Sequence, residues 1–157
     1  MIAGMNRHLW KSQLTPYEAD YARWCVEQGA LLRAGRLDVL DRENLAEEIE
    51  SLGRSQEDEI ESRLNVLLVH LLKWKYQPEG RTGSWEGSIV EQRSRLLGRL
   101  TKSPSLKAHP ASVLADEYIS ARLKASGETG LPRALFPEVC PFTIQQVLDS
   151  SFFPENR

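Results

Sequence analysis

Cysteine is scarce in this chain. Cys25 and Cys140 are the only two among 157 residues. Neither belongs to a C-x-x-C pair, and neither stands at zinc-site spacing from a histidine. Two such isolated thiols fit a reducing, cytoplasmic compartment, where they serve as small apolar side chains. No run approaches the 18 apolar residues of a membrane span, and the first ten residues hold no apolar run of signal length. There is no Gly-rich phosphate loop, no G-x-S-x-G elbow, no Ser/His/Asp set and no Glu-x-x-His. Nothing in the sequence asks for a cofactor, and an enzyme is less expected than a binding protein. Strand-like alternation is also missing, and there is no internal repeat. Net charge is only −2, so no overall bias favours nucleic acid or an anionic membrane.

What is present is helical. Hydrophobic residues make up 41% and charged residues 27%, as in ordinary globular proteins. A chain of this length is expected to form one domain, here 15–157, burying roughly two thirds of its unfolded surface. Residues 1–14 have no clear period and read as a loose arm that Leu9 and Trp10 could anchor.

The dominant stretch is Asp41–Gln77. Leu45, Ile49, Leu52, Ile60, Leu64, Leu67, Leu68, Leu71 and Leu72 fall at steps of three and four, one face of an α-helix. Its first half is acidic and its second half nearly all apolar. The spacing therefore predicts burial on one side first and on most sides later. The remaining helices and the tail are expected to cover that stripe. Gly53, with Ser55-x-x-Asp58 behind it, leaves either a continuous helix or a bend.

Around this spine the sequence predicts a first helix over Pro16–Ala34, capped by Thr15 and Glu18 and stopped by Gly35. A third helix runs from a Ser84 cap to Lys102. A fourth starts at Pro110 and ends before Gly127. The tail from Leu131 carries Pro132, Pro137, Pro141 and Pro154 among large apolar residues, with a Thr143-x-x-Gln146 capping box. So much apolar surface must pack back on the helices. The expected class is an all-α bundle of about four main helices around one long central helix.

Charge is unevenly placed. Asp38–Glu61 holds ten acids against Arg42 and Arg54, whereas Arg81–Lys124 holds eight basic residues against four acids. Two faces that attract each other are the plain reading, and a basic groove for a polyanion is the sharper one.

Three groups of residues could carry chemistry. Glu43, Glu47, Glu48 and Glu50 could share a metal ion, or form a solvated or helix-pairing face. No metal ligand set is assigned. Arg63 and His70 lie almost two turns apart, so His70 could act as general base on a ribose hydroxyl while Arg63 holds the phosphate. A packed, hydrogen-bonded histidine is the plainer role. Trp10, Trp24, Trp74 and Trp85, with Lys73, Arg81 and Arg93 as anion contacts, could stack bases; core packing is the default for such tryptophans.

The run N-L-A-E-E-I-E-S-L-G-R-S over Asn44–Ser55 resembles the family catalogued as domain of unknown function 29. So do E-S-R-L-N-V-L-L-V-H-L-L-K-W (Glu61–Trp74), S-W-E-G-S-I-V-E-Q-R (Ser84–Arg93), S-P-S-L-K (Ser103–Lys107) and E-T-G-L-P…F-P-E-V-C-P-F (Glu128–Phe142). The resemblance covers Tyr17 to Pro154. It implies a helical, cytoplasmic, bacterial protein and brings no activity to carry over. The Arg63/His70 spacing also resembles that of a family of helical ribonucleases, except that here Asn65, not residue 64, is polar.

Taken together, the expected function is a helical interaction module that self-associates. Its motive is an apolar run in the spine longer than one facing layer covers. A helical RNA-binding or RNA-cleaving domain is the alternative, and a carboxylate metal site a weaker one. A homo-oligomer or another protein is the expected partner; nucleic acid is allowed without being favoured, and a membrane is not expected.

Overall fold

The computed structural model describes residues 13–155, and the expected arm therefore lies outside the described residues except for Gln13 and Leu14. The described chain is all-α. Its helices are α1 (Tyr21–Arg33), α2 (Arg42–Tyr76), α3 (Gly83–Lys102), α4 (His109–Thr129) and the short α5 (Ile144–Leu148). No strand occurs among the described residues. The chain divides into two compact units, Met1–Gly53 and Arg54–Arg157, with the boundary inside α2.

α2 is one continuous helix of 35 residues, about 50 Å at 1.5 Å per residue. Gly53 does not interrupt it. Its missing side chain faces open space, so nothing at that position demands glycine.

The first unit is built from α1 and the first turns of α2. α1 begins at Tyr21, five residues after the expected start. Thr15 does not stand at its N-cap position, and its N–H and hydroxyl donate instead to the Glu27 carboxylate, at 2.7 and 2.9 Å. Residues 16–19 form a turn, and Asp20 accepts the Arg23 N–H at 3.0 Å instead. At the other end Gly35, at φ 69°, ends the helix as expected. The Gly35 N–H donates to Leu32 O and the Arg36 N–H to Leu31 O, the paired bonds of a Schellman stop. Among the described residues of this unit, Trp24, Gln28 and Val39 are the buried ones. Trp24 Nε1 donates to Asp41 Oδ2 at 3.1 Å, and the Asp41 N–H donates to Gln28 Oε1 at 2.9 Å, which pins the start of α2.

The second unit has a full core. Ile60, Leu64, Leu67, Leu68, Leu71 and Leu72 of α2 meet Ile89, Leu96 and Leu100 of α3, Tyr118, Ala121 and Ala125 of α4, and Phe136, Phe142 and Val147 of the tail. Each fully buried large side chain adds about 1.5–3 kcal/mol. Thr82, rather than Ser84, caps α3 by accepting the Trp85 N–H at 3.3 Å. α4 runs through Gly127 and stops at Gly130, whose φ of 72° suits the left-handed stop; Gly127 has no such demand.

The tail packs back as expected, and its capping box at Thr143 and Gln146 forms. Its irregular backbone leaves carbonyls that no ladder satisfies, so side chains take that role. Arg93 Nε donates to Val147 O at 2.8 Å and Nη2 to Phe152 O at 3.0 Å. Tyr118 Oη donates to Pro137 O at 2.6 Å, and Arg122 Nε to Phe136 O at 2.9 Å.

Candidate functional site

The acidic residues of α2 do not act as a group. Glu48 accepts the hydroxyls of Tyr17, at 2.5 Å, and Tyr21, at 2.7 Å. Those two donors hold its carboxyl below the usual range. Reciprocally, the Glu48 hydrogen bond pushes the Tyr17 phenol up to about 12, and that of Tyr21 is raised further. Tyr17, Tyr21 and Trp24 also pack on one another, with centroids 4.9 to 6.0 Å apart. Glu43 borders an open cleft of about 660 Å³ lined also by Leu14, Trp24, Gln28 and Asp41. Glu47 and Glu50 are exposed. Among the described residues, no three His, Cys, Asp or Glu side chains converge as a metal ion would need.

Arg63 and His70 share α2 but not a pocket. Glu59 accepts from Arg63 Nε and Nη2 at 2.8 and 2.6 Å, and Gln92 Oε1 accepts from Nη1 at 3.2 Å. Arg63 lines a shallow cleft with Asp58, Glu59 and Gln92 that does not include His70. Glu59, which Arg99 also grips at 2.7 Å, is held ionised by Arg63 first and Arg99 second. His70 is half-buried, with Nδ1 2.9 Å from Val66 O, one turn back on its own helix.

The three expected anion contacts sit against protein groups. Lys73 is 8% exposed, pairs with Glu128 at 2.7 Å and lies 4.6 Å above the Trp85 ring. Arg81 donates to Trp74 O at 2.8 Å and lies over the Trp74 ring. Arg93 is 1% exposed, and its N–H groups face the tail carbonyls described above. Burial lowers its pKa, and its Nη1 has no hydrogen-bond acceptor. Of the tryptophans, Trp24 is buried, Trp74 packs on Phe153, and Trp85 lies beneath Lys73; Trp10 is outside the described residues. Cys25 is exposed rather than packed, and Cys140 is half-buried; both are free thiols.

Sequence reasoning missed the Tyr17–Tyr21–Glu48 cluster. The two tyrosines stand one turn apart, which was visible, but their partner lies 27 and 31 residues away. It also expected cover along the whole α2 stripe. Leu45 is half-buried, while Ile49 and Leu52 are each 66% exposed. Every residue from Ile49 to Ser55 is exposed. Tyr21, Val26, Leu32 and Leu37 add further exposed apolar surface in the same unit. The period of the first half of α2 therefore marks apolar positions that the described residues leave exposed.

No helix of the described residues is long and apolar enough to cross a membrane. The family model described as "Domain of unknown function DUF29" matches residues 16–153, nearly the whole chain. No curated protein and no solved structure matches it.

Proposed function

This chain belongs to the family of domain of unknown function DUF29, a family with no assigned activity, and we propose that it is an α-helical interaction module that docks a protein through its first unit. The observation that carries this is the exposure of Ile49. It lies on the helical stripe whose later members, from Ile60 on, are fully buried. A large apolar residue at such a position is normal as an isolated case, but here it continues a core-forming seam. Val26, Leu32 and Leu37 enlarge the apolar surface of a unit whose described residues bury two apolar side chains, Trp24 and Val39.

A second copy of the chain is one protein that could dock there, which is the self-association expected from the sequence. A bacterial cytoplasm fits the reading, since both cysteines are free. The RNA-cleaving alternative draws no comparable support. Arg63 already spends its guanidinium on Glu59 and Gln92 beside Asp58, which repels phosphate.

Light scattering at tens of micromolar and affinity capture, each run with the native chain and with Ile49→Asp, test the proposal. A mass above the 17.8 kDa monomer, or a co-isolated protein, that disappears in the variant alone is the expected result. A monomeric native chain that isolates with the same proteins as the variant would overturn it.

A further inference from the structure

Trp24, Gln28 and Val39, the buried residues among those described in the first unit, all line the open cleft of about 660 Å³. That volume is ordinary for a site that holds a small organic molecule. Leu14, Pro16 and Leu40 add apolar wall beside the Trp24 indole and Val39. The polar groups of the floor come from Gln28 on α1 and Asp41 at the start of α2.

Gln28 is 2% exposed, and a side chain so deeply placed is expected to have its polar groups paired. Its Oε1 accepts the Asp41 N–H at 2.9 Å. That bond fixes the amide, because a reversed one would set two donors against each other. Nε2 therefore faces away from the Asp41 N–H, and it has no acceptor among the described residues. Asp41 is half used as well. Its Oδ2 accepts from Trp24 Nε1 at 3.1 Å and from Asn44 Nδ2 at 2.7 Å, while Oδ1 accepts no hydrogen bond among the described residues. Neither atom is sealed in, since Arg93 Nη1 is the one sealed and unpartnered side-chain atom among the described residues. Both residues line the cleft, so a free donor and a free acceptor meet its open space. The bond between Gln28 and Asp41 keeps the two side by side.

This pairing selects for ligand chemistry. An anion would satisfy Gln28 Nε2 but meet Asp41 and Glu43. A cation would satisfy Asp41 but leave the Gln28 donor unmet beside Arg42. A neutral group with an acceptor next to a donor satisfies both. We propose that the cleft binds a small uncharged carboxamide with a flat apolar body. Its carbonyl accepts from Gln28 Nε2, its N–H donates to Asp41 Oδ1, and its body lies against Trp24, Val39 and Leu40. The site is separate from the docking surface at Ile49 and does not depend on it.

The test uses the full chain, labelled with nitrogen-15, and four small probes: benzamide, N,N-dimethylbenzamide, benzoate and benzamidine. Titration at millimolar concentration is followed through the Trp24 indole N–H and the Gln28 side-chain amide. Benzamide should shift both resonances and saturate. The other three probes, each of which lacks the needed donor, the needed acceptor or neutrality, should bind roughly tenfold more weakly. Gln28→Glu keeps an acceptor for the Asp41 N–H and removes the free donor, so it should weaken benzamide by a similar factor. Leu40→Trp fills the cleft without touching the polar floor and should abolish the shifts, with circular dichroism unchanged; it decides the matter if Gln28→Glu does not fold. No saturable shift with benzamide, equal binding of all four probes, shifts centred on other residues, or unchanged binding in Leu40→Trp would each overturn the proposal.

Discussion

Residues 60–72 and residues 45–52 of α2 obey the same helical period, yet their side chains end in opposite surroundings. Ile60, Leu64 and Leu67 are wholly buried, while Ile49 and Leu52 are two-thirds exposed. Both segments are regular helix, so the difference is one of neighbours. α3, α4 and the tail all belong to the second unit, where Phe136, Phe142 and Val147 close the core. Among its described residues the first unit sets only α1 beside the start of α2, and α1 offers Trp24 and Gln28 as its buried residues. A hydrophobic period identifies the face a helix would bury; the supply of other elements decides whether that happens.

The largest test of this contrast is a pair of truncations. Leu67→Ala should cost about 2–5 kcal/mol through lost burial and a residual cavity. Ile49→Ala should stay within about 0.5 kcal/mol in the isolated chain. Urea denaturation of the two variants measures both, and similar losses would erase the distinction between the halves.

Next in size is Arg93→Met. The side chain's bulk stays, but Val147 O and Phe152 O lose their donors. A loss of about 1–3 kcal/mol is expected, net of the relief of burying a charge with an unused Nη1. Faster proteolysis after Leu148, with α1 exchange unaltered, would locate the effect in the tail.

A smaller, opposite change should follow Gly53→Ala. An added Cβ meets nothing within 4 Å, so alanine should stabilise the helix interior by about 0.4–1 kcal/mol. Gly80→Ala makes the counter-case, because its Cβ would fall 2.7 Å from Trp85 Cη2. A raised midpoint for the first and a lowered one for the second is the expected outcome.

The slightest effect is pH dependence confined to the first unit, since its groups face solvent. The Glu48 carboxyl is depressed by the Tyr17 and Tyr21 hydroxyls. Its contribution is therefore present above the ordinary carboxylate pKa and fades as pH falls through the depressed value. The Tyr17 phenol is raised from 10.0 to about 12. That contribution is complete below 10 and is lost as pH rises through about 12. The protection of α1 amides, relative to their intrinsic exchange at each pH, should fall at both extremes, and Glu48→Gln should flatten both limbs. Unchanged limbs in Glu48→Gln would assign the stability of α1 to other contacts.

Much of the fold was legible. The spine expected over Asp41–Gln77 is Arg42–Tyr76, and the Gly35 stop and the Thr143 box are where local chemistry put them. The errors have physical causes. Thr15 has the neighbours of a cap, but residues 16–19 make a turn and the helix starts behind Asp20, while Thr15 bonds Glu27 twelve residues on. Gly127 was read as a stop, yet the helix continues to a glycine that adopts positive φ. The candidate sites were hardest to read. Arg93 and Lys73 look like surface cations in sequence, and each is buried against groups more than fifty residues away.

Local sequence determined where the helices of this protein run and which stripe of each is apolar, because turn-by-turn hydrogen bonding, caps and the 3.6-residue period are short-range properties. Only the tertiary structure decided that α2 is covered over one half and exposed over the other. Cover depends on which elements share a unit, and that is a matter of packing between residues far apart in the chain.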